Sequence, residues 1–434
     1  MLQEASNPTL ARYNYKVIKM DPYITNDAVV LGILLVVLAL IFVSSSSKHP
    51  FFVRLYTFVP PLLLCYFVPA LLQYPLNLIN GDVSNLYAVA SRYLLPASLI
   101  LLCLGIDFKG MWNLGPKALI IFLTATLSVI LGGPFALFFV MKVAPGILPV
   151  EADELWRGLS TIAGSWIGGG ANQAAMKEIF QVSDSLFASM IVVDVIVANI
   201  WMGFLLYGAN ISNKIDRWLK ADNTAITELK EKMENYQASV AKNPSTTEIF
   251  VLMGVTFGGV ALAHFMTDNI TPWMQTHSEW LDSVRLNTLY SDFFWLIVLV
   301  TTFGLLLSIT KARKLEGLGA SKWGSVFIYI LVATIGMKMN LKEVFNNLSL
   351  FSVGIVWMLV HVIILLIVAR IIKAPFFFVA VGSQANIGGA ASAPIVAAAF
   401  SPALAPVGVL LAVLGYALGT YGGIICALLM QAVI

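Results

Sequence analysis

Two glycine-rich motifs, each set inside a hydrophobic stretch of membrane-spanning length, constrain this chain more than any other feature. The first reads Gly164-Ser165-Trp166-Ile167-Gly168-Gly169-Gly170-Ala171-Asn172-Gln173. The second reads Gly382-Ser383-Gln384-Ala385-Asn386-Ile387-Gly388-Gly389-Ala390-Ala391-Ser392. Glycine runs and amides are unfavourable in lipid, because they break the helix and leave backbone N–H and C=O groups unpaired. Irregular backbone at that depth persists only where protein buries it or where it lines a wet cavity. A pair of such breaks at corresponding places in two halves of a chain is the pattern expected at a secondary transporter's binding site.

The rest of the sequence supports a membrane setting. Of 434 residues, 59% are hydrophobic and only 11% charged, against roughly 25% charged in a soluble domain. The expected class is an all-α polytopic membrane protein whose standing partner is the lipid bilayer. A net charge of +3, with no basic cluster interleaved with aromatics, argues against a nucleic-acid partner. Cys65, Cys103 and Cys426 all lie in apolar stretches and read as small core residues, not as a zinc site or a disulfide framework. The first apolar run starts near Ala28 and reads as a retained span.

Windows of about 20 apolar residues place spans at 28–44, 53–73, 91–106, 117–141, 185–207, 249–267, 292–310, 323–338, 348–371 and 404–431. The motif segments, 158–180 and 375–400, fall between the fourth and fifth and between the ninth and tenth spans. The chain thus divides into an N-terminal extension (1–27), a first transmembrane repeat (28–209), a hydrophilic linker (210–247) and a second repeat (248–434). Loop charge sets the sidedness. Lys48 and Arg54, Lys109 and Lys117, the Lys-rich linker, and Lys311, Arg313, Lys314 and Lys322 belong inside. Glu151, Asp153 and Glu154, and later Asp268, Glu279, Asp282 and Asp292, belong outside. These assignments agree if each half makes five crossings plus one re-entrant hairpin, which gives the halves opposite orientation. A crossing broken helix in each half stays open if one other span is miscounted. Leu104-Gly105-Ile106-Asp107-Phe108 and Ile335-Gly336-Met337-Lys338-Met339 recur at equivalent places, as an inverted repeat requires.

At each break the half-helix N-termini offer free N–H groups to an anion, and the C-terminal carbonyls suit a cation. The candidate substrate-binding residues are Ser165, Gly169, Gly170, Asn172 and Gln173 in the first motif, and Ser383, Gln384, Asn386, Gly388, Gly389 and Ser392 in the second. Tight packing of small residues accounts for the glycines but not for the amides, which need partners when buried. Asp194 sits deep in an apolar helix, where a carboxylate costs about 2.5–3.5 kcal/mol, and is the expected ion-coupling group. Asn199 and Thr420 accompany it as coupling candidates, and a Na⁺ site is expected at Asp194, Asn172 and Asn386. His361 reads as a neutral hydrogen-bonded histidine, and Asp107 and Lys338 as structural groups. Pro60-Pro61 and Gly132-Gly133-Pro134 are expected kinks. No His-Glu-x-x-His, Gly-x-Ser-x-Gly, Walker A or Cys-x-x-Cys pattern occurs, so no enzyme is expected, and no cofactor beyond a coupling Na⁺ or H⁺.

The two motifs, together with Val193-Asp194 through Asn199-Ile200-Trp201, resemble the family described as domain of unknown function 819, also called YjcL-like. The resemblance covers nearly the whole chain from about Asp21 and implies membership of the cation–proton antiporter and anion transporter superfamily. An inverted-repeat, elevator-type fold follows from that resemblance. It also implies that Asn172, Gln173, Asn386 and the adjacent glycines bind substrate or ion. The expected activity is secondary transport in the cytoplasmic membrane. Na⁺ or H⁺ would move with a small carboxylate-bearing solute, an organic acid, amino acid or short peptide. In that mechanism a core built around the motif segments slides against a panel made by the first two spans of each half, a panel also suited to a homodimer contact. An ion channel or sensor on the same fold, or a membrane enzyme, is the alternative.

Overall fold

A computed structural model describes residues 22–222, 244–283, 287–339, 349–401 and 404–434, apart from positions 60, 113, 145, 147 and 149. Among these residues the chain is all-helical. The first half contains α1 (Asp27–Ser45), α2 (Pro50–Phe58), α3 (Pro61–Gln73), α4 (Leu86–Leu104), α5 (Pro116–Val143), α6 (Ala152–Gly168), α7 (Gly170–Ile179) and α8 (Asp184–Asn210). The second contains α9 (Thr246–Gln275), α10 (Asp292–Ser308), α11 (Ala320–Gly336), α12 (Leu350–Ile371), α13 (Phe376–Ile387), α14 (Gly389–Phe400) and α15 (Ala405–Val433). Local chemistry sets many of the starts. Asn26, Ser183 and Ser291 cap α1, α8 and α10 through their side chains. Ser245 and Glu248 form a reciprocal capping box on α9. Pro116 stands at the first turn of α5, where its missing N–H costs nothing.

Seven of the described helices are long and apolar enough to cross a membrane, or nine if two bent pairs each count as one span. The expected span 53–73 is two helices, α2 and α3, set at 93° to each other, the first ending at Phe58 and the second starting at Pro61. The expected 292–310 span ends at Ser308, and the 3-10 segment Lys311–Leu318 then turns away by 97°. Gly132-Gly133-Pro134 does not interrupt α5. The indole of Trp357 on α12 lies where a Cβ at either glycine would sit, 2.8 Å from the Gly132 position and 2.6 Å from that of Gly133. These glycines therefore serve close helix packing. Of the hydrophilic linker, the helix Ser212–Leu219 is seen, while Glu228, Lys230, Glu231, Lys232 and Glu234 lie outside the described residues.

The helices form two groups. In one, α1, α3, α4, α9, α10 and α11 pack on one another. In the other, α5 packs on α12, and α15 runs against α6, α13 and α14, with α8 beside them. The groups meet where α4, α10 and α11 face α7 and α15. The third expected span of each half, α4 and α11, thus joins the first group and forms much of its contact with the second.

Both glycine motifs are turns of helical hairpins. At the open end of the first, Trp156 of α6 stacks edge-on against Phe180 at 5.3 Å, and Arg157 donates to the Phe180 carbonyl at 3.2 Å. At the open end of the second, Phe377 of α13 meets Phe400 of α14 at 5.3 Å. α15 shows how the hairpins are set. Its Gly408 abuts Ala393 of the second hairpin, Gly415 touches Ile167 of the first and Ala385 of the second, and Gly423 abuts Gly164 and Met176 of the first. The hairpins therefore enter from opposite ends of the bundle, and their tips meet near Gly415. Single cysteines at Glu151 and Gln181 are expected to label with an impermeant thiol reagent from one side of the membrane, and cysteines at Lys373 and Ser401 from the other. Labelling of 151 and 181 from opposite sides would make the first segment a crossing helix.

Candidate functional site

The tips owe their shape to glycine. Gly169 (φ +75°) and Gly389 (φ +60°) hold left-handed backbone that a side chain disfavours, which lets each helix reverse within one or two residues. Neither α7 nor α14 has a side chain capping its N-terminus, so the first N–H groups of each are left for other acceptors. Tyr416 of α15 lies against Gly169, 3.8 Å from the position of its absent Cβ, while the corresponding position at Gly389 faces open space.

Each hairpin is tied to a neighbouring helix by a buried asparagine, and the two ties share one design. Asn172 donates to the carbonyls of Gly168 (3.1 Å) and Tyr416 (2.8 Å) and accepts from Thr420 (2.6 Å). Asn386 donates to the carbonyls of Gly382 (2.9 Å) and Phe122 (3.3 Å) and accepts from Thr126 (2.8 Å). In both, one amide hydrogen goes to the carbonyl four residues back, and the other to a carbonyl on the facing helix. The threonine one turn further along that helix closes the set. Both asparagines are fully buried, so these bonds supply what water cannot.

Asp194 belongs to a third set. Its Oδ2 accepts from Ser165 (2.6 Å) and Gln173 (2.8 Å), and its Oδ1 from the indole N–H of Trp166 (2.6 Å). The carboxylate ties α8 to both arms of the first hairpin. Tyr66 of α3 is fully buried, and its hydroxyl has no hydrogen-bond partner among the described residues. The second hairpin meets α8 through Trp201, whose indole donates to Ser383 at 2.8 Å. Ser383 also bonds His361 Nε2 (2.8 Å), and His361 Nδ1 bonds Ser128 (2.7 Å), which donates to the Ala125 carbonyl. One assignment satisfies every atom of this chain. Ser383 accepts from Trp201 and donates to Nε2, and Nδ1–H donates to Ser128, which makes His361 a neutral imidazole.

The residues singled out as a Na⁺ site share no hydrogen bond with one another among those of the described residues. Asp194, Asn172 and Asn386 sit in three separate hydrogen-bonded sets, and their oxygens are taken by N–H and O–H donors. Thr420 serves the Asn172 tie, and Asn199 donates to Val195 within its own helix (2.7 Å). Among the described residues no group of three His, Cys, Asp or Glu stands ready for a metal. Trp166, Trp201, Thr126 and Tyr416 complete the sets. Thr126 and Tyr416 lie outside both motifs, and only their contacts reveal their part.

Beside the tips lies a cavity of about 1390 Å³ between the two helix groups. Ala390 and Tyr416 mark its hairpin side, and Lys311, Arg313 and Lys314 its mouth. Asp107, at the end of α4, pairs with Arg313 at 2.6 Å, and Glu316 accepts from Ser321 at 2.9 Å. At the opposite end of the bundle the groups are joined. Asp184 at the start of α8 bridges Lys177 of α7 (2.9 Å) and Lys338 beyond α11 (3.2 Å). Lys177 also donates to the Tyr87 hydroxyl of α4 at 3.0 Å.

Truncating Asp194 leaves three buried donors unpaired, at about 1–3 kcal/mol each. Asp194→Ala is expected to lower the melting temperature of purified protein more than Asn386→Ala does. Because the sets share no partner, their effects should add in the double variant; strong non-additivity would mean that the two sets form one site.

A family model described as a protein of unknown function, DUF819, matches residues 32–433. The uncharacterized membrane protein YjcL of Bacillus subtilis (strain 168) is 22% identical over 344 residues, which is 78% of this chain and 82% of that protein. With several membrane-length helices and a family match spanning both hairpins, this chain is a membrane protein belonging to the DUF819 family.

Proposed function

We propose that the protein is a secondary active transporter of a small anionic solute. The observation that carries this reading is the meeting of two opposed, glycine-turned hairpins beside a cavity open at one end of the bundle and braced at the other. Broken helices of this kind place free backbone N–H groups at membrane depth. The cavity lining sets Lys311, Arg313 and Lys314 against Asp107 and Glu316, and the remaining positive charge favours an anion over a cation. The same basic residues mark the cytoplasmic end by the charge rule. The cavity then opens inward, and the Lys177–Asp184–Lys338 bridges close the outward end.

The packing pattern supports an inverted repeat. With α1–α8 and α9–α15 taken as the two halves, α1 packs on α3 as α9 does on α10, and α3 on α11 as α10 on α4. α6 packs on α15 as α13 does on α8, and α7 on α15 as α14 on α8. In the elevator mechanism proposed here, the group holding both hairpins moves as a body against the group built on α1, α3, α4, α9, α10 and α11. The third expected span of each half therefore belongs to the stationary panel along with the first two. The protein would act in the cytoplasmic membrane.

Asp194 would carry the coupling ion, and its surroundings suit a proton better than Na⁺. A bare cation must displace the Trp166, Ser165 and Gln173 donors. A proton on Oδ2 requires only that the Ser165 hydroxyl turn round to accept. Proteoliposomes loaded with members of a small-carboxylate library should show counterflow of one of them, with accumulation driven by a pH gradient. Asp194→Asn should abolish the driven accumulation while counterflow persists. Accumulation on a Na⁺ gradient alone would overturn proton coupling, and unitary conductance without counterflow would replace the carrier by a channel.

A further inference from the structure

The tip of the second hairpin contains a buried polar atom that no described residue satisfies. Gln384 is 2% exposed, and its Nε2 donates to Ser392 at 2.7 Å. Its Oε1 has no hydrogen-bond partner among the described residues. A buried acceptor without a donor is costly to keep, and such an atom in a folded protein calls for an explanation. The place where it occurs supplies one. The Gln384 amide lies against Gly388, the residue preceding α14, with its nitrogen nearest the position of the absent Cβ and its carbonyl carbon 3.1 Å from it. Ser392, its one partner, stands in the first turn of the same helix. α14 runs for 12 residues, and its N-terminus has no side-chain cap. Gly389 of that turn faces open space, and Ala390 lines the cavity. A buried, unfilled carbonyl acceptor therefore stands within about one turn of the uncapped start of α14, whose Ala390 lines the cavity.

We propose that this pair of features is the headgroup subsite of the transported solute, and that the solute is a carboxylate bearing a hydrogen-bond donor on the adjacent carbon. The inference rests on the anion-carrier reading above and narrows it. The carboxylate oxygens take the N–H groups at the start of α14, where the helix dipole favours negative charge. The donor, an ammonium or a hydroxyl group, fills the Gln384 carbonyl. Because both features lie within about one turn, a carboxylate with its donor on the neighbouring carbon fits between them. Val409, Leu410 and Val413 of α15 form an apolar wall of the same cavity, which suits an aliphatic side chain.

Three probes of one carbon skeleton separate these elements: 4-methylpentanoate, 2-hydroxy-4-methylpentanoate and leucine. Affinity is measured with the full-length protein in detergent by isothermal titration. At least one of the two substituted acids is expected to bind about tenfold more tightly than 4-methylpentanoate, since only they satisfy the orphan carbonyl. Which of the two binds identifies the donor as ammonium or hydroxyl. Gln384→Leu should erase that difference, and the wild-type comparison stands by itself if the variant does not fold. Equal binding of all three would overturn the inference while leaving an anion carrier intact. Binding of none would also overturn it, and the carrier reading would then be judged by library counterflow alone.

Discussion

A helix interrupted at membrane depth exposes backbone N–H and C=O groups where no water is available to meet them, and the architecture of this protein follows from how that demand is met. At the first hairpin Asn172 spans the turn to Gly168 and crosses to Tyr416 and Thr420. At the second, Asn386 reaches back to Gly382 and across to Phe122 and Thr126. Asp194 binds both arms of the first hairpin to α8. These sets fix the hairpins to their neighbours and leave the N-terminal turns of α7 and α14 uncapped. That division separates the polar groups that brace the hairpins from the N–H groups that the proposed solute would meet.

The close approach needed for such bonds explains the small-residue face of α15. A Cβ at Gly419 would stand 2.5 Å from the Gly168 Cα, and one at Gly415 would stand 2.8 Å from the Ile167 carbonyl oxygen. A side chain at either position would push the first hairpin away and break the reach from Asn172 to Tyr416. Glycines that weaken a helix on its own thus make possible the contact that holds the site together. Gly132 and Gly133 perform the same service for Trp357, whose indole donates to the Val129 carbonyl at 2.9 Å and leans on Trp166 at 5.2 Å.

Much of this was legible in the sequence, because the features were local. Glycine clusters inside apolar runs marked both breaks, and the charge balance of the loops called for a hairpin in each half. Asp194 stood out as an acid without a nearby partner in sequence. Its partners were less accessible, since Ser165, Trp166 and Gln173 join it only when two helices fold back on each other. Thr126 carried no sequence signal, because a hydroxyl in a membrane helix is common and gains meaning only from the helix it faces; Tyr416 enters the Asn172 tie through its backbone carbonyl, which no side-chain pattern reveals. The grouping of Asp194, Asn172 and Asn386 as one ion site said nothing of the separate tie in which each amide stands. Pairing by residue type cannot tell a ligand from a brace; the count of filled donors and acceptors can.

The two helix groups, joined by Lys338–Asp184 at one end and parted by a cavity at the other, are the moving parts of the proposed cycle. Pulsed electron-spin distance measurements in proteoliposomes address that cycle directly. One pair of labels would be placed at Lys311 and Lys373, one in each group, and a second pair at Gln181 and Lys373, both in the hairpin group. The account predicts that the first distance takes two values whose populations shift with pH, while the second stays single. A fixed first distance, or a second that changes as much as the first, would contradict a hairpin group moving as one body.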